Sequence, residues 1–209
     1  SNYRFWYSLG SREGAILISG IRPGATRMDF IQNLNTPSLR ECLQVYRPEP
    51  YSSFFAPSGR VHALGAGNLL VEIQQRLGKP ISVSGWGTSD AVPLPEAEAA
   101  LELVNIHDRQ IRRIAMDVGP MLQTRRVPLV AACPAFHIDE IRLCDHLYGR
   151  TTGETFHLFV VVDGQVTVQV REQVWDVAKG QTVLIPACLG DYRLAIAKGN
   201  ARLLKACLP

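Results

Sequence analysis

The pattern of apolar and polar residues along the chain predicts a protein built mainly from β-strands. Short apolar runs rich in strand-forming residues are bounded by glycine and proline, which interrupt regular structure. In the first part of the chain these runs are Phe5–Leu9, Ala15–Ile21, Phe54–Phe55 and Asn68–Ile73. Because a glycine-containing turn separates the first two runs, we expect them to pair as a hairpin. The last run is apolar enough to predict a largely buried strand.

Three other segments have the residue spacing of helices. Thr26 is a good N-cap, Asp29 follows three residues later as in a capping box, and apolar residues recur at helical spacing as far as Leu34. A second short helix is predicted over Ser38–Leu43. Strong helix formers predict an amphipathic helix over Glu96–Val104, with its apolar face in the core.

The second half of the chain predicts an antiparallel sandwich or barrel. Short strands recur from Leu129 onward, and turns such as Asp163–Gly164 and Lys179–Gly180 separate them. The predicted strands are His137–Leu143, Thr155–Val162, Gln165–Val170, Gln173–Val177, Thr182–Ile185, Tyr192–Ile196 and Ala201–Cys207. The whole chain is therefore predicted to be all-β with short helices inserted.

Composition limits the size and the partners of this fold. The 209 residues, 46% of them hydrophobic, suffice for one large all-β domain or two small ones. A net charge of +3 gives no strong field for nucleic acid or for an anionic membrane. The basic stretch Arg109–Arg126 could bind phosphate or nucleic acid. It lacks the interleaved aromatic residues that stack on bases, so we favour a solvated surface there.

The five cysteines are widely spaced and none forms a CxxC pair. Neither a disulfide framework nor a zinc knuckle is indicated, and the expected location is the reducing cytoplasm. No segment approaches the roughly 20 consecutive apolar residues that span a bilayer, and no signal segment opens the sequence. We therefore expect no membrane partner.

Segment 54–75, FFAPSGRVHALGAGNLLVEIQQ, contains one histidine, His62, just after a turn. Pro57–His62 fits the PxGxxH metal-binding motif of the cupins, and the extended segment resembles the type I mannose-6-phosphate isomerases. Segments 156–170, FHLFVVVDGQVTVQV, and 179–194, KGQTVLIPACLGDYRL, resemble a second cupin in which His157 stands at the place of a metal-binding His-x-His pair. No histidine follows Cys188 in the second motif. We expect His157 to be a packed strand residue and Cys188 a buried small hydrophobe.

The resemblance implies the C-terminal two-thirds of such an isomerase, with two cupin-like jelly-roll barrels. Residues 1–88 are expected to form the first barrel, N-terminally incomplete and with a helical insert at about 26–43. Residues 89–128 are expected to be helix and linker. Residues 129–209 are expected to form a second barrel that has lost its metal ligands.

The family interconverts mannose 6-phosphate and fructose 6-phosphate through a cis-enediol, with zinc polarising the reacting oxygens. By resemblance, His62 is a zinc ligand, or else a satisfied loop histidine. A family Gln-x-His pair normally precedes the first residue of this chain. Arg4 stands where the family has a ligating glutamate, and a guanidinium has no lone pair to offer a metal. Ser82 stands where the family has an active-site arginine.

The catalytic residues are unknown, with Glu72, Arg76 and Lys79 as candidates. Alternation along a strand puts Glu72 and Gln74 on one face, where they could add to His62 as ligands. The alternative is that Glu72 pairs with an arginine and Gln74 bonds to backbone. Arg76 or Lys79 could compensate for the arginine missing at Ser82.

Two hypotheses follow for function. The first is a zinc-dependent mannose-6-phosphate isomerase, either a fragment or a divergent form. The second is a catalytically inactive cupin that binds a sugar phosphate or serves as an interaction module. Under the first, and under the binding form of the second, the partner is a small sugar phosphate rather than nucleic acid or a membrane.

Overall fold

The computed structural model describes residues 2–75, 82–83, 92, 94–108, 113–114 and 119–209. Within these ranges β-strands dominate, so the predicted all-β class is confirmed. The chain divides into two compact units, residues 1–116 and 117–209. The predicted boundaries at 88 and 128 stay a prediction, as does the incomplete N-terminus of the first barrel. No described helix is long and apolar enough to cross a membrane.

The described strands of the first unit are β1 (Arg4–Ser11), β2 (Leu17–Ile21), β3 (Leu43–Tyr46), β4 (Ser53–Ala56), β5 (His62–Leu64), β6 (Asn68–Gln74) and β7 (Arg113–Ile114). They form two antiparallel sheets, with strand orders β6-β1-β4-β7 and β3-β2-β5. The predicted hairpin is wrong, because β1 pairs with β4 and β6 whereas β2 pairs with β3 and β5. Strand β1 lies between β4 and β6, and burial of the successive residues Phe5, Trp6 and Tyr7 shows that both of its faces are covered.

Strand β6 is less buried than its apolar composition predicts. All of its residues are half-buried or exposed, and Leu69 is 64% exposed. The reason is position, since among the described strands β6 pairs only with β1 and stands at the end of the strand order of its sheet.

The helices of the first unit follow the predicted local signals. Helix α1 (Arg27–Gln32) begins after Thr26, whose hydroxyl accepts from the Asp29 amide at 3.1 Å while Asp29 accepts from the Thr26 amide at 2.8 Å. The predicted capping box is thus confirmed. A 3₁₀-helix spans Pro37–Cys42, and α2 spans Leu94–Leu101. Helix α2 ends before the predicted limit at residue 104.

The second unit also contains two sheets, with strand orders β10-β15-β12-β13 and β14-β11-β16-β9-β8. Its strands are β8 (Arg125–Val130), β9 (His137–Leu143), β10 (His146–Arg150), β11 (His157–Asp163), β12 (Gln165–Val170), β13 (Gln173–Ala178), β14 (Thr182–Ile185), β15 (Asp191–Ile196) and β16 (Ala201–Cys207). Each strand predicted in this half is present. Strand β10 was not predicted; its sequence is short and contains Gly149, which is unfavourable inside a strand.

In the first unit, Phe30 of α1 and Leu39 of the 3₁₀-helix share a core cluster with Ile18 of β2, whereas the core of the second unit forms where the inward faces of its strands meet. In the second unit Phe159, Val161, Leu194 and Leu203 are fully buried in one apolar cluster with Ile141. Cys188 is exposed, contrary to the prediction that it is a buried hydrophobe. It lies in the turn after β14, where the Leu189 amide donates to the Pro186 carbonyl, so its side chain is not directed by a strand.

Candidate functional site

A tight turn of the first unit places the residues before His62. The Arg60 amide donates to the Pro57 carbonyl at 3.1 Å, and Gly59 adopts φ +80°. A Cβ at Gly59 would lie 2.9 Å from the Leu103 carbonyl oxygen. Glycine is therefore required here both for the left-handed backbone and for the close approach of the neighbouring chain.

Arg60 anchors this turn through a buried ion pair. Its Nε and Nη2 atoms donate to the two carboxylate oxygens of Asp108 at 3.0 and 2.8 Å, and Nη1 donates to the Ser19 carbonyl at 3.1 Å. The two side chains are only 1% and 7% exposed. A Cβ at Gly20 would lie 2.7 Å from Arg60 Nη1, so the guanidinium occupies space that only glycine leaves. The fork geometry fixes the direction of the chain toward His62.

His62 opens strand β5 and is held in one tautomer. Its Nδ1 lies 2.8 Å from the Arg60 carbonyl oxygen. Because a carbonyl only accepts, Nδ1 carries the proton and Nε2 keeps its lone pair. The ring packs against Trp6 with centroids 5.2 Å apart. Burial lowers the pKa of His62, and the Arg4 cation lowers it further, so the imidazole is neutral.

Arg4, Trp6 and Glu72 meet on one face of the β1–β6 pair, because the register sets Trp6 opposite Glu72 and Arg4 opposite Gln74. Glu72 Oε1 accepts from Trp6 Nε1 at 3.0 Å and from Arg4 Nη1 at 3.1 Å. Of the two alternatives for Glu72, the structure has the ion pair with an arginine. We call Arg4, Trp6, His62 and Glu72 the first-barrel cluster.

The first-barrel cluster does not fit the zinc that the family implies. Zinc requires about three protein ligands in a catalytic site. His62 Nε2 offers a lone pair, but the Glu72 carboxylate is bound to a guanidinium whose permanent positive charge opposes a second cation. In the described part of the chain, no group of three or more His, Cys, Asp or Glu side chains could hold a metal ion.

The other sequence-predicted site residues belong to segment 76–82. Arg76 and Lys79 lie outside the described residues, and Ser82 is exposed. Trp6 was missed by the sequence reasoning, which treated it only as a strand residue. Its position two residues after Arg4 on an alternating strand was the available signal.

The second unit has a polar interior of its own. His157 is buried, and its Nδ1 lies 2.7 Å from the Tyr192 hydroxyl. Burial lowers the pKa of His157 to about 4, with Lys205 and Arg126 contributing as cations. Burial raises the pKa of Tyr192 to about 12. Both side chains are therefore neutral near pH 7, and they interact by a neutral hydrogen bond.

The chain is similar in sequence to two mannose-6-phosphate isomerases of Bacillus subtilis. It is 24% identical over 195 residues to mannose-6-phosphate isomerase ManA of Bacillus subtilis, covering 90% of this chain and 60% of that protein. It is 34% identical over 70 residues to the probable mannose-6-phosphate isomerase GmuF of the same organism, covering 34% of this chain and 22% of GmuF. No family model matches the chain.

Solved structures show the same fold. A phosphomannose isomerase variant from Salmonella typhimurium superposes with a TM-score of 0.74 at 13% identity, covering 98% of this chain and 66% of that one. The Bacillus subtilis mannose 6-phosphate isomerase superposes with a TM-score of 0.64 at 15% identity, covering 98% and 64%. The predicted resemblance to the type I isomerases is thereby confirmed, and the chain has the fold of these solved isomerases. The chain spans about 60% of the length of its curated relative ManA.

Asp108→Asn should destabilise the first unit strongly. It leaves the buried Arg60 guanidinium without its charge partner, a loss that typically costs about 3–5 kcal/mol of unfolding free energy. The control is Glu102→Gln, which removes an exposed ion pair with Arg27 and should cost at most about 1 kcal/mol. Urea denaturation followed by circular dichroism measures both. Equal losses in the two variants would contradict the anchoring role of Arg60.

The pKa of His157 predicts a dependence of stability on pH. The pKa of His157 is about 4 in the folded chain and about 6.5 in the unfolded chain. Between pH 4 and 6.5 the unfolded chain therefore binds more protons than the folded chain, which favours unfolding. The contribution of neutral His157 is intact above pH 6.5 and is lost progressively as the pH falls toward 4. Melting temperatures of wild type, His157→Gln and the control His146→Gln should show the smallest acid-induced loss in His157→Gln. The same loss in all three proteins would refute this assignment.

Proposed function

We propose that this chain, a distant relative of the type I mannose-6-phosphate isomerases, binds a hexose phosphate at the first-barrel cluster and does not by itself catalyse zinc-dependent isomerisation. The observation that carries the proposal is the ion pair of Arg4 with Glu72 beside His62. The guanidinium of Arg4 stands where the resemblance to the isomerases implies a metal-ligating carboxylate. The cluster has the residues of a binding site rather than those of a metal centre.

The chemistry of the cluster suits a hydroxylated, phosphorylated ligand. His62 Nε2 is a hydrogen-bond acceptor for a sugar hydroxyl, and Arg4 carries N–H donors beyond the one that Glu72 receives. Guanidinium groups bind phosphate oxygens well, because their planar donors match the anion in geometry and charge. The substrate class is taken from the relatives, whose names state mannose 6-phosphate.

A second candidate is the zinc-dependent interconversion of mannose 6-phosphate and fructose 6-phosphate. Two observations favour it: the lone pair held on His62 Nε2, and the alignment with ManA over 90% of this chain. Because the chain spans 60% of ManA, metal ligands in the remaining part of such a protein would have to complete the site. The cytoplasmic location expected from the cysteines stays a prediction under either candidate.

The decisive experiment combines binding, metal content and turnover on the purified chain. We expect mannose 6-phosphate to bind in calorimetry, zinc to stay well below one ion per chain, and isomerisation with added zinc to be negligible. Arg4→Met should abolish binding, whereas the exposed control Arg27→Met should retain it. Turnover in the ordinary enzyme range of roughly 1 to 1000 per second would overturn the proposal and support the second candidate.

Arg4→Glu should create metal affinity at the first-barrel cluster. The new carboxylate would face Glu72, and two neighbouring carboxylates favour a bound cation because their charges repel. We expect Co²⁺ to bind at least about tenfold more tightly than to wild type, equivalent to about 1.4 kcal/mol. Absorption titration with Co²⁺ measures this.

The matched control is the double variant Arg4→Glu with His62→Ala, which should lose most of the gain because it removes the nitrogen ligand. Unchanged Co²⁺ affinity in Arg4→Glu would show that the Arg4 side chain is not what prevents a metal ion from binding at the first-barrel cluster.

A further inference from the structure

The interior face of the second barrel holds a cluster of polar side chains that the proposed function does not use. We call it the second-barrel cluster, and its members are Arg126, Asp139, His157, Tyr192 and Lys205. The strand register explains why they converge. Lys205 of β16 lies opposite Asp139 of β9 and Phe159 of β11, and alternation places His157 on the same face as Phe159.

Arg126 is hydrogen-bonded to Asp139 and is also partly exposed to solvent. Its Nε and Nη2 atoms both lie 2.6 Å from Asp139 Oδ2. The Arg126 side chain is 57% exposed, whereas that of Asp139 is 6% exposed. The buried carboxylate therefore fixes the direction of the guanidinium while leaving part of it accessible from solvent.

Lys205 lacks such a partner. The residue is half-buried, and within the described part of the chain its ammonium group makes no hydrogen bond and no ion pair. Burial lowers its pKa, and the neighbouring Arg126 cation lowers it further. Two cations thus act on each other beside a single carboxylate. A partly desolvated charge without a partner is unfavourable, and an added anion would relieve it.

His157 and Tyr192 complete the surroundings as neutral hydrogen-bonding groups, joined at 2.7 Å. We infer that the second barrel binds a small oxyanion, the phosphate or carboxylate group of a metabolite, between Arg126 and Lys205. This site belongs to residues 117–209, whereas the first-barrel cluster belongs to residues 1–116. Arg126, which belongs to the basic stretch Arg109–Arg126, would then bind an anion rather than serve only as a solvated surface residue.

The test is the melting temperature of the full chain in inorganic phosphate and, separately, in acetate, each against chloride at equal ionic strength. We expect phosphate, acetate or both to raise the melting temperature of wild type, because a ligand of the folded state stabilises it. Lys205→Met should weaken the apparent affinity at least about tenfold. The control Lys198→Met, at an exposed turn lysine of the same unit, should respond as wild type does.

Lys205→Met should also melt at or above the wild-type temperature in chloride, since it removes a partly buried unpaired charge. That result separates lost binding from lost folding. Arg126→Gln should weaken the response as well. A melting temperature raised by phosphate alone would show that the site is specific for a phosphate group. A melting temperature raised by acetate as well would show that it accepts oxyanions in general.

Two outcomes would overturn the inference. One is an equal anion response in wild type and Lys205→Met. The other is a response that is lost in Arg4→Met and kept in Lys205→Met, which would place the anion at the first-barrel cluster and leave the proposed function standing. Loss in Lys205→Met with retention in Arg4→Met supports the second-barrel site alone.

Discussion

The first barrel depends on the buried ion pair between Arg60 and Asp108. Removing two charges from water is costly, and here the cost is offset by two fork hydrogen bonds and a third to the Ser19 carbonyl. The pair is possible only because Gly20 leaves room for the guanidinium. The ion pair also affects His62. The carbonyl oxygen of Arg60 accepts a hydrogen bond from His62 Nδ1, so Nε2 is the imidazole nitrogen that keeps its lone pair.

The same scaffold shows how one substitution changes what a site can do without changing the fold. The β1–β6 register brings position 4 toward Glu72 whatever residue occupies it. A carboxylate there would share a cation with Glu72, whereas Arg4 satisfies Glu72 directly and removes the need for a cation. The fold likeness to phosphomannose isomerases therefore carries no metal chemistry to this chain by itself, because function depends on the residues of the site.

Local signals predicted what local interactions decide. Turn residues at Asp163–Gly164 and the capping box at Thr26 acted within a few residues, and the corresponding strands and helix are present. The pairing of β1 was predicted wrongly because its partners are far along the chain, and nothing in residues 5–21 encodes them. The first-barrel cluster could be predicted only in part for the same reason. His62 was found through a motif, but the Arg4–Glu72 contact joins residues that are 68 positions apart in the sequence.

The two barrels differ in how their interior charges are matched, and this difference bears on where a ligand is needed. In the first barrel the Arg4 cation has Glu72, so the cluster is electrically balanced before any ligand arrives. In the second barrel Asp139 balances Arg126 but leaves Lys205 as an excess cation. The first-barrel cluster can therefore bind a phosphate group only through the Arg4 donors that Glu72 leaves open, whereas the excess cation of the second-barrel cluster adds an uncompensated attraction for an anion. The matching of charged side chains, rather than the metal motif alone, therefore indicates how strongly each barrel favours an anion.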